Sequence, residues 1–279
     1  MAAEPDWTSA CRRIVIAQRE LFAAKPSIAD RTVYDGRGEG GDRSLVIDRR
    51  AEDIIFAELE AIHDDGHSFT AISEERGTVQ FGDGGSPTRV VIDPIDGSLN
   101  ARRTLPSHSL SVAVASGMSM EAVEFGYVYD FGADEEFVAR AGAGSTLDDQ
   151  PLHAEGPGYG LEVVGLEAAK PERILPLISE LEGKAYRIRA IGSIAITLCY
   201  VAAGRLDGML TARGCRSVDA AAAQLIAREA GAAVEFSGVE GEASLDLAAR
   251  YHVTAALDLE MLEALRPVQA RAEAVAAVP

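Results

Sequence analysis

Apolar residues recur at helical spacing from Trp7 to Ala24, and again from Ala51 to Ile62 through Ile54, Ile55, Ala57, Leu59 and Ile62. A period near 3.6 gathers such side chains on one face, so both stretches predict amphipathic helices. The pattern changes after His67. Phe69–Ile72, Val90–Ile92, Leu110–Ala115, Val123–Asp130 and Glu136–Ala139 are short β-branched or aromatic runs divided by turn residues, which predicts strands. The second half alternates. Strand candidates at Leu161–Gly165, Ala185–Ile191, Gly208–Thr211 and Ala233–Phe236 interleave with helix candidates at Glu172–Leu181, Ile194–Ala203 and Val218–Ala230. This combination predicts an α+β half followed by an α/β half, residues 1–150 and 151–279, with the boundary in Asp148–Gly160. Between the first two helices, Asp30–Gly41 contains Asp35-Gly36-Arg37-Gly38-Glu39-Gly40-Gly41, too rich in glycine for a regular element and expected to be mobile. The alanine-rich tail Ala270–Pro279 is expected to fray.

Charge narrows the partners. The formal net charge is −18 over 279 residues, which argues against a broad nucleic-acid footprint because an acidic surface repels the phosphate backbone. A small phosphorylated molecule stays compatible, since a bound divalent cation reverses the local sign. No apolar run approaches the ~18 residues of a membrane span, and Met1-Ala2-Ala3-Glu4-Pro5-Asp6 lacks the basic start of a signal peptide, so a cytoplasmic protein without membrane contact is expected. Cys11, Cys199 and Cys215 are odd in number and widely spaced, which fits reduced thiols.

Candidate chemistry concentrates in Val90-Val91-Ile92-Asp93-Pro94-Ile95-Asp96-Gly97-Ser98, where an apolar run ends in two carboxylates and a Gly-Ser pair able to open a helix. Hard cations and phosphate want those groups in one small volume. Taken alone, Asp93-Pro94-Ile95-Asp96 reads equally well as an Asx-Pro turn with a solvated acid. Other segments decide. Ser73-Glu74-Glu75 ends the strand candidate Phe69–Ile72, Gly192-Ser193 precedes a helix, and Asp219, followed by Glu229-Ala230-Gly231, opens another.

In this order, from about Asp48 to Ala255, these segments resemble the inositol monophosphatase family of magnesium-dependent, lithium-sensitive phosphatases of small phosphorylated polyols and sugars. The resemblance implies a layered α-β-α-β-α sandwich with the site between its halves, two or three Mg²⁺ ions, and a homodimer. It further implies that Asp93 bridges two metals, that Glu74 and the Ile95 carbonyl complete one site, and that Asp96 and Asp219 hold the second. Asp48 matches an acid lining a third position. Catalysis falls to Glu74, Asp93 and Ser98 through a metal-activated water, and substrate contacts to Asp96, Gly97, Ser98, Gly192, Ser193, Arg213 and Asp219. Glu75 reads as a supporting acid.

The sequence departs from the animal members at two positions. Trp before the last metal aspartate is Val218 here, and a Glu seven residues before that aspartate, which binds inositol hydroxyls, is Ala212. Arg213 and Arg216 stand close by, as in archaeal and actinobacterial relatives, some of which also hydrolyse fructose 1,6-bisphosphate. An arginine there reaches a second phosphate or pairs with a surface carboxylate. Arg102, Arg103, Arg189 and His108 are weaker candidates, and Arg37 reads best as a solvated charge. The leading expectation is hydrolysis of inositol monophosphate, fructose 1,6-bisphosphate or both. The alternatives are a phosphatase of adenosine 3′,5′-bisphosphate, histidinol phosphate or NADP, and a binding protein that keeps the fold without turnover.

Overall fold

The computed structural model describes residues 4–37, 43–168 and 170–276. Helix α1 (Trp7–Ala23) is capped by Asp6, whose side chain accepts the Ser9 N–H at 3.0 Å, and it buries Trp7, Ala10, Cys11, Ile14, Val15 and Phe22. A short helix α2 (Ile28–Arg31) leads to β1 (Tyr34–Arg37), which pairs antiparallel with β2 (Arg43–Leu45), so strand backbone forms inside the segment that its glycines exclude from regular structure. Gly38 to Gly41, the rest of the expected mobile loop, lie outside the described residues. Helix α3 (Val46–Asp64) starts five residues before Ala51, because Leu45-Val46-Ile47, strand-like in composition, straddles the β2–α3 junction.

The first sheet follows: β3 (Phe69–Ser73), β4 (Gly77–Phe81), β5 (Arg89–Asp96), then after α4 (Ser98–Arg102) come β6 (Ser109–Ala115), β7 (Val123–Asp130), β8 (Glu135–Arg140), β9 (Gly144–Leu147) and β10 (Gln150–Leu152). Their spatial order is β10-β9-β8-β7-β6-β5-β3-β4, antiparallel except where β3 runs parallel to β5. The second half supplies β11 (Val163–Glu167), α5 (Pro171–Leu181), β12 (Arg187–Arg189), α6 (Ile194–Ala202), β13 (Gly208–Thr211), α7 (Ser217–Glu229), β14 (Ala233–Ser237), β15 (His252–Ala256) and α8 (Leu259–Ala276). Its sheet has the order β12-β11-β13-β15-β14, with β12, β11 and β13 parallel.

Five layers result: α1 and α3, the large sheet, α6 and α7, the small sheet, then α5 and α8. The α-β-α-β-α expectation is met. The central core joins Val91, Ala113 and Val128 of the large sheet to Ala221 and Ile226 of α7 and to Met209 and Val253 of the small sheet, so the middle helices bury apolar residues against both sheets. α7 lies so close to β7 that a Cβ on Gly126 would stand 2.6 Å from the Ala222 carbonyl oxygen. At the far end of α7, the Glu229 carboxylate accepts the N–H groups of Gly142 and Gly144, both at 2.8 Å, and ties the β8–β9 hairpin to the helix. The Glu229-Ala230-Gly231 motif is thereby structural.

One local irregularity positions the site. β5 does not stop at Ile92 but continues through Pro94 to Asp96, and its pairing with β6 slips: Asp93 faces Ser111 while Asp96 faces Ser109. Between these pairs, Pro94 and Ile95 on one strand oppose Leu110 alone on the other. Proline, lacking an N–H, is tolerated at such a bulge. Residues three apart on a regular strand point to opposite faces, and the extra residue turns both acids toward one cleft.

Candidate active site

Four carboxylates reach that cleft from three elements. Glu74 stands on the turn between β3 and β4, Asp93 and Asp96 on the bulged end of β5, and Asp219 in the first turn of α7, all lining a cavity of about 450 Å³. The Glu74 turn is pinned from behind by Glu52 of α3, whose Oε1 accepts from Ser73 Oγ and from the Arg76 N–H at 3.1 Å. Asp93 Oδ1 accepts the Ile95 N–H at 3.0 Å. Asp96 Oδ2 accepts from Ser193 Oγ at 2.6 Å and from the Ala195 N–H at 2.7 Å, so an acid of the first sheet is fixed by the N-terminus of α6. Asp219 Oδ2 accepts the Arg216 N–H at 2.8 Å, and the Arg216 guanidinium donates to Glu74 Oε1 and lies 3.5 Å from Asp219 Oδ1.

The electrostatics are those of an overcrowded anion site. Burial, then the charges of Glu74, Asp96 and Asp219, push Asp93 well above the usual carboxylate range. Asp96 is pushed up to about 8 by burial and by Asp219, and Glu74 is raised by burial despite Arg216. Burial opposes the Arg216 charge, yet Asp219 and Glu74 outweigh it and hold the guanidinium ionised. Nearby Asp48 is pushed up to about 7 by burial, then by Glu75 and Glu74. It lines a small adjoining cavity of about 20 Å³ with Glu74, Glu75, Pro94, Ile95 and Ser98, and among the described residues its Oδ1 is buried without a hydrogen-bond partner.

The donors fit a hard cation: carboxylates line the cleft together with the strand-end residue Ile95, and among the described residues no thiol or imidazole lines it. An orphaned Asp48 oxygen and four mutually repelling acids are what a multivalent cation satisfies. The carboxylates surround the cleft instead of meeting at a point, and among the described residues no three His, Cys, Asp or Glu side chains stand grouped to hold an ion.

Of the residues nominated from sequence, Glu74, Asp93, Ile95, Asp96, Gly97, Ser98, Gly192, Arg213 and Asp219 line the main cleft, and Asp48 the adjoining cavity. Ser193 is almost fully buried beneath the wall, its hydroxyl spent on Asp96 and on capping α6 through the Ile196 N–H at 3.1 Å. His108 packs between Phe22 and Phe131, ring centroids 5.1 and 5.5 Å away. The Cys215 thiol is buried, which pushes its pKa well up, and donates to the Tyr251 carbonyl at 3.2 Å. Arg189 is exposed on β12, and the Arg37 side chain lies outside what is described. Sequence reading missed Asn100, Glu167 and Lys170, which also line the cleft. Glu167 carried a usable signal, an acid at the end of an apolar strand, the same signal that marks Asp93.

The five-layer sandwich thus sets a cleft of four acids beside the first residues of α4, an arrangement able to hold hard cations next to a phosphate. The sequence profile of the inositol monophosphatase family matches residues 11–271, and this chain belongs to that family. It is 32% identical over 232 residues, 82% of this chain and 84% of the relative, to the fructose-1,6-bisphosphatase/inositol-1-monophosphatase of Thermococcus kodakarensis. It is 36% identical over 200 residues, 69% of this chain and 71% of the relative, to the Nus factor SuhB of Pasteurella multocida. Among solved structures, the SuhB extragenic suppressor protein of Bartonella henselae superposes with a TM-score of 0.77 at 25% identity, covering 94% of this chain and 99% of that one.

Proposed function

We propose that this protein hydrolyses a small phosphorylated polyol or sugar, inositol monophosphate, fructose 1,6-bisphosphate or both, in a Mg²⁺-dependent reaction. The observation that carries the reading is the convergence of Glu74, Asp93, Asp96 and Asp219 on one cleft opposite Gly97 and Ser98. In this reading Glu74, Asp93, the Ile95 carbonyl, Asp96 and Asp219 hold two ions, and Asp48 serves a third. Magnesium, when bound, neutralises phosphoryl oxygens and makes water acidic enough to attack at neutral pH.

The chain's own groups do the rest. Gly97 has φ +86°, and a Cβ there would stand 2.8 Å from the Ser107 carbonyl oxygen, so only glycine fits the entry to α4. First-turn N–H groups of a helix have no intrahelical partner, and the residues that carry them, Ser98 and Leu99, line the cleft, which favours a phosphate there. Ser98, exposed at that turn, orients the attacking water. Glu74 Oε1 is engaged by Arg216, which leaves Oε2 to take the water's proton. The same reading places the protein in the cytoplasm as a homodimer. No helix among the described residues is long and apolar enough to cross a membrane. A division at about residue 150 is supported by the two sheets, built from strands up to Leu152 and from Val163 onward.

Lys170 and Arg213 bring two cationic side chains to the wall of the same cleft, which supports a substrate carrying a second phosphate. Lys170→Ala and Arg213→Ala are expected to raise KM for fructose 1,6-bisphosphate roughly tenfold while leaving inositol 1-phosphate within about twofold, the scale of one charged contact. Equal losses on both substrates would remove the second-phosphate assignment. The reading as a whole is tested by phosphate release from a panel that also includes adenosine 3′,5′-bisphosphate, histidinol phosphate and NADP, with Mg²⁺ and with EDTA. Turnover of the first two substrates that EDTA abolishes supports it. If nothing turns over while Mg²⁺ binds calorimetrically, a binding role replaces it.

A further inference from the structure

The turn from Ile191 to Ser193 is held from both sides by groups that take no part in the proposed phosphoryl chemistry. On one side stands Glu167, at the end of β11 and almost fully buried. Its Oε1 accepts the Ile191 N–H at 2.9 Å and Thr197 Oγ at 2.8 Å, and its Oε2 accepts the Gly192 N–H at 2.9 Å. On the other side stands Asn100 of α4, whose Nδ2 donates to the Ile191 carbonyl and to the Ser107 carbonyl, both at 2.8 Å. The turn's N–H groups are thus fastened to the small sheet and its carbonyl to the helix that follows Gly97.

The fit leaves no slack. Gly192 has φ +85°, and a Cβ on it would stand 2.8 Å from Asn100 Nδ2; a Cβ on Gly97 would stand 3.1 Å from the Gly192 carbonyl oxygen. Ala168, the residue after Glu167, has φ 55°, a left-handed conformation that costs a non-glycine residue energy and persists only where its surroundings impose it. Past the turn, Ser193 is the residue bonded to Asp96.

We infer that Glu167 and Asn100 act as a pair of positioning residues that fix the 191–193 turn as a wall of the cleft and thereby set affinity for the substrate bound there. The inference rests on the phosphatase reading. A wall that keeps one shape through binding and turnover acts on ground state and transition state alike, so its loosening appears in KM more than in kcat. Glu167→Gln keeps the shape but turns one acceptor into a donor facing an N–H, and Asn100→Ala removes both donors from the other side.

The experiment compares wild type, Glu167→Gln and Asn100→Ala by steady-state kinetics on inositol 1-phosphate and fructose 1,6-bisphosphate, by Mg²⁺ titration calorimetry without substrate, and by amide hydrogen exchange at Ile191 and Gly192. Each variant is expected to raise KM roughly tenfold with kcat and Mg²⁺ affinity within about twofold, as for loss of a charge-assisted or paired hydrogen bond, and to speed exchange at both amides. Unchanged exchange overturns the positioning role, and so does a fall in kcat with KM unaltered or a loss of Mg²⁺ affinity. Absence of any turnover by the wild type overturns the phosphatase reading, and with it the claim about substrate affinity, while exchange still decides whether the pair holds the turn.

Discussion

Asp93→Asn is expected to lower phosphate release by about 10³-fold or more, the scale on which enzymes lose rate when the charges organised around a transition state are removed, and at the same time to raise the melting temperature in EDTA. The two effects share one cause. Asp93 is 2% exposed, and burial and the charges of Glu74, Asp96 and Asp219 all work against its ionised form. An uncharged isostere relieves that repulsion by roughly 1–3 kcal/mol in the metal-free protein, as expected for a buried carboxylate held among like charges. Asn can still accept the Ile95 N–H through its amide oxygen, so the Asx turn survives. Phosphate release, Mg²⁺ calorimetry and thermal unfolding in EDTA check the three consequences. A lowered melting temperature in EDTA would mean that the carboxylate stabilises the fold on balance, and the electrostatic account of the cleft would fail.

Stability of the chelated protein is expected to fall as pH rises from about 5 to 8, against the common trend for carboxylates in ion pairs. Asp96 moves from the ordinary 3.8 up to about 8, Asp48 up to about 7, and Glu74 and Asp93 also move upward. Between the unfolded and folded values the native state binds more protons than the unfolded chain, so raising the pH draws the equilibrium toward unfolding. Glu167, raised to about 7 by burial, contributes with the same sign. Saturating Mg²⁺ binds the ionised acids of the native state and should flatten or reverse the slope. Melting temperatures across that range, with EDTA and with Mg²⁺, test the sign. A curve in EDTA that climbs from about pH 6 to 8 would show that the acids are paired in solution, where the structure has them repelling.

Legibility in the sequence followed the strength of local signals. β7 matches its expected span, Val123–Asp130, and α1 differs from its expected span by one residue, because a run rich in aromatic residues and valine and a long apolar stripe leave little choice. β9 and β10 went unread: they are strands of four and three residues among turn residues, β9 pairing because β8 presents a free edge and β10 then adding to β9 as the edge strand. α8 hid behind Pro267, which ordinarily breaks a helix; the helix nonetheless runs to Ala276, with Val268 and Ala272 buried beyond the proline. The expected frayed tail is therefore helical through Ala276, and its last three residues lie outside the described ones.

At the site, the acids were legible because each ends an apolar run or opens a helix. The bulge that turns Asp93 and Asp96 the same way was not, since register depends on the partner strand. Nor was the bonding of Asp96 by Ser193 across 97 positions of sequence, which only the meeting of α6 with β5 creates.

The late arrival of the middle layer has a consequence for how the chain is made. All eight strands of the large sheet are complete at Leu152, but the helix that covers their inner face, α7, ends at Glu229. At about 5–20 residues per second, a ribosome takes roughly 4–15 s to cross that gap. Throughout it Val91, Ala113, Val128 and Phe137 have no α7 to pack against. A nascent chain in that window exposes a broad apolar sheet, so the hazard of aggregation for this fold is concentrated during translation and ends when α7 emerges.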